Sequence, residues 1–420
     1  MNERLLQYIW QFQYYNKSQL QTAAGEHLKV LSPGSLNTNQ GPDFSNARIQ
    51  IGSIVLAGSI ELHCKTSDWT KHHHQNDANY NNVILHVVYQ HDDVDTAADI
   101  PILELQPLVS SIMLNRYAAL MNAQGFIACS HSIGSVNEIT WTSWKERLVA
   151  ERLTRKSEKI IQALQESSNH WEQVFWLLLS RSFGSKVNGD AFESIAETIS
   201  INLLAKHKNR IHQLEALLLG QANLLNEELD DSYYKLLQRE YQFLKKKYSL
   251  HPSPLPVHFL RMRPGNFPSL RLAQLAMLVN QSSHLFSSVK NATGLSEVRA
   301  LLDITANDYW HYHYHFSQTS AYLPKRLGKA IINSVIINTI APVLFAYGWH
   351  HKEEKYQLKA LRWLEEVDGE KNSILEQFVN LNVENKTAFD SQALLELNNE
   401  YCTKKRCIEC SVGNFILKTL

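Results

Sequence analysis

The stretch GPDFSNARIQIGSIVLAGSIELHCKTSDWTKHHHQNDANYNNVILHVVYQH, residues 41–91, decides the fold. Its β-branched and apolar runs are separated by Gly, Asn and Asp, the pattern of short strands joined by turns. Ile49 and Ile51 alternate with Arg48 and Gln50, and Gly52-Ser53 suits a two-residue hairpin turn into Ile54. Acids and histidines interrupt these strands. An ionised carboxylate taken out of water is costly unless it is paired, hydrogen-bonded or on a metal. Asp43, Glu61, His63, Lys65 and His86 therefore need one another or a ligand.

Outward from this stretch, ERLLQYIWQFQYY carries apolar side chains at helical spacing and predicts a first helix over 3–15. HLKVL, ARIQI, IVLAGSIELHCK, VILHVVYQ and IPILEL predict about five strands between 28 and 105, with a polar loop or short helix at SDWTKHHHQND. Helix, three strands, irregular link and two more strands read as an α/β domain with a mixed sheet. From about Leu108 the periodicity is helical almost throughout. Asn188-Gly189-Asp190 reads as a turn, and the proline-rich 251–269 as a connector. The expected organisation is an α/β domain over 1–110, a helical domain over 111–250 and a helical domain with a cysteine cluster over 251–420.

The chain has 420 residues, 44% of them hydrophobic, enough for more than one core. Lys+Arg 41 balance Asp+Glu 41, so no whole-protein field draws it to nucleic acid or membrane, and any such contact must come from a local basic face. The N-terminus lacks the basic start and continuous apolar run of a signal peptide. The apolar run 340–349 contains a proline and a glycine and is shorter than the about 18 residues a membrane helix needs. A cytoplasmic protein with no membrane partner is expected.

On a strand over 59–65, alternate side chains share a face, so Glu61, His63 and Lys65 point together while Ile60, Leu62 and Cys64 point oppositely. Antiparallel pairing of 43–51 with 54–65 brings Asp43 near Glu61. Two carboxylates with a basic neighbour suit a divalent cation such as Mg²⁺ or Mn²⁺. The bland alternative is that Asp43 caps a turn while Glu61 pairs with Lys65 or Arg48 on the surface. His72 and His74 are further candidate ligands beside Asp43, Glu61, His63, His86 and Asp77, and imidazoles favour Zn²⁺ or Mn²⁺ over Mg²⁺. His73 reads as a solvated loop residue.

Pro42-Asp43 followed by Glu61-x-His63 on a strand, in the order helix, three strands, link, strand, resembles the PD-(D/E)xK nuclease superfamily. That resemblance implies a restriction-endonuclease-like fold and a Mg²⁺ site hydrolysing phosphodiesters in DNA or RNA, with Asp43, Glu61 and a lysine as its catalytic residues. The chain departs from the pattern. His63 stands where the lysine is expected, and Lys65 lies one step further on the same face. GPDFSNARIQI, GSIELHCKTSDWTKHHH, YNNVILHVVY, RPGNFPSLRLAQLA, INTIAPVLFAYG and YCTKKRCIECSVGNFIL together resemble a bacterial family known only as a domain of unknown function, over nearly the whole chain.

Cys402-x4-Cys407-x2-Cys410 is a metal-type spacing for zinc or an iron–sulfur cluster, which Cys129 or Cys64 would complete as fourth ligand. Small thiols packing a terminal helix are the alternative. C-terminal iron–sulfur cysteines also occur in some nucleases of the superfamily named above. Among the basic clusters, Arg261, Arg263 and Arg271 flank Pro264-Gly265-Asn266 without nearby acids, and are the phosphate-binding candidates. Three readings stand: a metal-dependent nuclease or nuclease-like nucleic-acid-processing protein, a non-catalytic nucleic-acid- or protein-binding module, and a His/Asp/Glu metal hydrolase acting on a small substrate.

Overall fold

The computed structural model describes residues 1–37, 39–92, 100–282 and 284–419. The chain divides into two compact units, Met1–Trp144 with Asn398–Leu420, and Lys145–Leu397.

In the first unit, helix α1 (Glu3–Gln11) begins where the Asn2 side chain accepts the Leu5 N–H at 2.9 Å. It is shorter than the periodicity over 3–15 predicts. Gln13 adopts a left-handed φ of 53° and the Tyr14 N–H returns to the Ile9 carbonyl, which ends the helix while the aromatic spacing continues. The strands follow as β1 (Leu28–Ser32), β2 (Ser35–Leu36), β3 (Phe44–Ile51), β4 (Ile54–Lys65), β5 (Val83–Gln90) and β6 (Ile102–Glu104). Their order is β1-β3-β4-β5-β6, with β2 also on β3. β1, β3 and β4 are antiparallel, whereas β5 runs parallel to β4 and β6 parallel to β5. The sheet is therefore mixed, as the sequence predicts.

Ile51 faces Ile54 across Gly52-Ser53, with Gly52 at φ 56°, the left-handed value a two-residue hairpin turn requires. At Gly58 a Cβ would lie 2.5 Å from the Asn82 carbonyl, so glycine lets the chain cross close above β4 before β5 starts. Leu5, Leu6, Ile9 and Trp10 of α1 share one core with Phe44, Ile49, Ile60, Leu62, Leu85, Val87 and Leu103. The opposite face of β4 and β5 carries Glu61, His63 and His86. Parallel crossovers need a covering segment, and here it is helix α2 (Asp68–Lys71) with the turns His74–Asn76 and Ala78–Tyr80. Helices α3 (Ser111–Asn122) and the start of α4 (Glu138–Glu166) follow, and the last helix, Ser411–Thr419, returns to this unit with Ile408 and Leu417 in its core.

The second unit is helical apart from a ribbon of His313–His315 with Gln318–Thr319 among its described residues. Helix α5 (Trp171–Thr198) runs through Asn188-Gly189-Asp190, so the turn expected there does not form. The kink lies instead at Ser185, and the Asn188 side chain is spent on both backbone groups of His258. Helix α6 (Ile201–Ala205) leads to α7 (Ile211–Gln221), which packs against α8 (Ser232–Tyr248) and α9 (Pro268–Gln281). The helical run Lys329–His351 is longer than the apolar stretch 340–349, because a π-turn over Ile336–Ile340 precedes Pro342 and the proline sits in a first turn, where no N–H is needed. By length and composition this 23-residue helix is long and apolar enough to cross a membrane, and 67% of its apolar window is buried inside the protein.

Candidate metal centre

The Gly41-Pro42-Asp43 turn is set by Asn37, whose N–H donates to the Asp43 carbonyl at 2.7 Å and whose side-chain amide donates to the Pro42 carbonyl at 3.0 Å. Gly41 takes φ 105°, which a side chain would strain. Phe44 pairs with Ile60, so the next step outward sets Asp43 beside Glu61. The Asp43 N–H donates to Glu61 Oε2 at 2.9 Å, and the Leu62 N–H donates to Asp43 Oδ2 at 3.1 Å. Gln7 of α1 donates to Asp43 Oδ1 at 2.7 Å.

Glu61 is 6% exposed, so it is not the surface ion pair that the sequence left open. Burial, then the charge of Asp43, pushes its carboxyl up to about 8. Burial likewise pushes Asp43 up to about 6, against the bonds from Leu62 and Gln7. Glu61 thus stands in the field of Asp43, and a cation beside the two acids would favour their ionised forms.

Two imidazoles flank the second Glu61 oxygen, and a third meets one of them. Oε1 lies 3.5 Å from His63 Nε2 and 3.4 Å from His74 Nε2, and His63 Nε2 lies 3.1 Å from His72 Nδ1. One ring nitrogen from each of His63, His72 and His74 falls within 4.8 Å of the other two. The local chain explains the convergence. Helix α2 ends at His72, His73 takes a left-handed φ of 60°, and a new turn starts at His74, so the reversal at His73 aims His72 and His74 to the same side. His73 itself is exposed. Trp69 meets His63 and His74 edge-on, and Tyr80 stacks on His74 at 3.8 Å. His72 is exposed, so the cluster opens to solvent on that side.

These spacings fit a metal. Ligands about 2.1 Å from a tetrahedral ion stand about 3.4 Å apart, close to the three separations above. His74 Nε2 is buried without a hydrogen-bond partner, which an apolar packing role does not explain. Burial and the neighbouring histidines hold His63 down at about 3, burial holds His86 down at about 4, and His74 is lowered chiefly by burial. The rings are therefore neutral, as ligands must be. His63 Nδ1 lies 2.9 Å from His86 Nε2. A metal on His63 Nε2 would leave the proton on Nδ1 and make this contact an N–H donated to His86, the outer bond that orients a ligating histidine.

Lys65 and Asp77, also singled out by sequence, make other contacts. Lys65 is half-exposed at the end of β4, its Nζ 3.6 Å from the Asp92 carboxylate. Asp77 caps the turn after the histidines by accepting the Asn79 N–H at 2.9 Å. In the second unit, Arg261 and Arg263 are exposed, but Arg271 is not in their loop. It is buried in α9 and donates to Asn266 and Gln274. Sequence reasoning missed Gln7, Trp69 and Tyr80, which carry no motif and reach the site only through the packing of α1 and the crossover turns.

The chain belongs to a protein family of unknown function, DUF2851, whose model matches residues 3–373. No curated protein and no solved structure matches it.

Proposed function

We propose that the chain is a metal-dependent hydrolase of phosphodiester bonds, with nucleic acid, DNA or RNA, as its substrate class. One observation carries the reading: Glu61 joins the two halves of the site, one oxygen bonded to the Asp43 backbone and the other facing His63 and His74. The strand order supports it as well, because an antiparallel three-strand sheet followed by a helical crossover to a parallel strand is the sequence of elements in the nuclease resemblance, with a restriction-endonuclease-like fold.

His63, His72, His74 and Glu61 would hold the ion, with Asp43 beside them. When bound, such an ion polarises a phosphoryl oxygen and lowers the pKa of a water. Glu61 and Asp43 supply the negative charge that retains a divalent cation. His63 occupies the position of the expected lysine, held from behind by His86. A three-imidazole set favours Zn²⁺ or Mn²⁺ over Mg²⁺. Trp69 and Tyr80 shield the inner side from water, which leaves the His72 side for substrate.

Incubation of the full chain with single- and double-stranded DNA and RNA, and with a small phosphodiester, under Zn²⁺, Mn²⁺ or Mg²⁺ in turn tests this. Cleavage lost in Glu61→Gln and His72→Ala is expected. Turnover of the small ester alone moves the substrate class to small molecules. Metal binding without cleavage of any of them favours a binding module, and no metal binding removes the reading.

A further inference from the structure

Two buried cations in the second unit stand without a carboxylate among the described residues. Arg271 is 6% exposed and Lys325 4%. Arg271 donates from Nη1 to Gln274 Oε1 at 2.8 Å and from Nη2 to Asn266 Oδ1 at 2.7 Å, while its Nε is buried without an acceptor. Lys325 Nζ is also buried without an acceptor and lies 3.7 Å from the centroid of the Tyr314 ring, a face that attracts a cation but does not neutralise it. One amide ties the two residues together: Gln274, which accepts from Arg271, donates through Nε2 to the Lys325 carbonyl at 3.1 Å. A buried cation with no counter-charge costs several kcal/mol, so the pair calls for an anion.

Both residues are held at the start of α9. Asn266 closes the turn Pro264–Asn266 that leads into the helix, so the Arg271 side chain reaches back past the first helical turn. Ser269 Oγ, in that first turn, donates at 2.7 Å to the carbonyl of Tyr314, the residue whose ring Lys325 covers. The helix begins uncapped. Phe267 offers no side-chain acceptor, Pro268 has no N–H, and Ser269 and Leu270, which carry the next N–H groups, are 1% and 2% exposed. A buried helix start with no cap presents N–H groups and the positive end of the helix dipole, the backbone arrangement that receives an anion. Gly265 and Asn266 are exposed and give access from solvent, and the exposed Arg261 and Arg263 precede them. No acid stands between Glu240 and Glu297, or between Asp308 and Glu353, the two stretches that supply every group named here.

We propose that Arg271, Lys325 and the start of α9 bind a terminal phosphate, either free or carried by a monoester. Two cations match the charge of about −2 on such a group. A phosphodiester within a strand carries one charge and has chain on both sides, which donors this deeply buried do not admit. The site lies wholly in the second unit and does not rest on the hydrolase reading.

The full chain is dialysed into phosphate-free buffer with EDTA, so that no metal at the histidine cluster holds phosphate. Its melting temperature and its binding by calorimetry are then measured with inorganic phosphate, with ribose 5-phosphate, and with a short oligonucleotide bearing either a 5′-phosphate or a 5′-hydroxyl, against chloride at matched ionic strength. Phosphate should raise the melting temperature beyond chloride, and the tightest of the three phosphorylated probes identifies the carrier. Lys325→Met should melt no lower than wild type without ligand, because it removes an uncompensated buried charge, and should lose the phosphate shift. Arg271→Lys keeps the charge but loses the Nε donor, and should weaken phosphate at least about ten-fold. That variant keeps the test decisive where Lys325→Met fails to fold. Lys329→Ala, which removes an exposed cation paired with Asp368, should leave the affinity unchanged. No rise beyond chloride with any phosphorylated probe would overturn the proposal, as would an equal rise in Lys325→Met or equal binding of the 5′-hydroxyl and 5′-phosphate strands.

Discussion

Asp43 and Glu61 hold each other through the main chain: the Asp43 N–H donates to Glu61 Oε2 at 2.9 Å, while the Asp43 carboxylate accepts from Leu62, the residue after Glu61, at 3.1 Å. Neither acid can swing out without breaking a bond made by the other's strand. The position of the pair is thus fixed before any cation arrives, which lowers the ordering cost of binding one.

Glu61→Gln separates the roles of this carboxylate. The amide keeps an oxygen for the Asp43 N–H but cannot ionise to hold a cation. The metal-free variant should melt at the wild-type temperature or above it, since an unpaired buried carboxyl is a stability cost. Its thermal shift on adding Zn²⁺ or Mn²⁺ should disappear. Differential scanning fluorimetry reads both, and an undiminished shift would remove Glu61 from the ligand set.

His86 touches the proposed metal only through His63. His86→Ala removes the acceptor for the His63 Nδ1–H, and outer-shell losses of this kind typically cost about 10–100-fold in metal affinity. Titration with a competing chelator measures it. An unchanged affinity with an intact fold means that His63 is not a ligand.

Glu215 in the second unit offers a test by pH. It is fully buried, and burial pushes it up to about 7 although Oε2 accepts from Tyr233 at 2.7 Å and from Trp310 at 3.1 Å. Between about pH 4.5 and 7 the folded chain keeps a proton here that the unfolded chain has released. Stability contributed at this site therefore falls as pH rises through that window and levels above it, by up to about 3 kcal/mol. Urea midpoints at pH 5 and pH 7 should lie closer together in Glu215→Gln than in wild type. Equal differences in the two proteins would show that Glu215 does not titrate in this range.

Gly220 of α7 packs under Tyr241 of α8, where a Cβ would stand 2.2 Å from the ring. Gly220→Ala should destabilise by about 1–3 kcal/mol through overpacking, despite alanine's better helix propensity. Chemical denaturation checks the sign, and a stabilised variant would mean that the two helices move apart at little cost.

Much of the first unit is legible in sequence because strand alternation and turn chemistry are local. The pairing of 43–51 with 54–65 follows from Gly52-Ser53, and the face shared by Glu61 and His63 from period two. What sequence leaves open is set by single backbone angles and by contacts distant along the chain. The left-handed His73 turns both neighbouring rings to one side, and a histidine at that position carries no prior signal for doing so. Lys65 shares the parity of Glu61, but the strand ends there and its side chain meets Asp92. Arg271 reads as part of a basic loop until Pro268 starts a helix that buries it. Cys129 packs on the core that contains Cys407, more than 270 residues away, a contact that spacing alone does not show.

The first unit is built from two stretches, Met1–Trp144 and Asn398–Leu420, with the whole of Lys145–Leu397 between them. On a ribosome adding about 5–20 residues per second, the interval before the second stretch emerges is roughly 10–50 s. Throughout that time the sheet and α1 exist without Cys407, Ile408 and Leu417, and apolar surface that these residues later cover stays open. The helical unit is complete first. Nascent chains whose residues 398–420 are still inside the ribosome should therefore contain a protease-resistant 145–397 body attached to a protease-sensitive sheet, and the sheet should become resistant only once 398–420 have emerged.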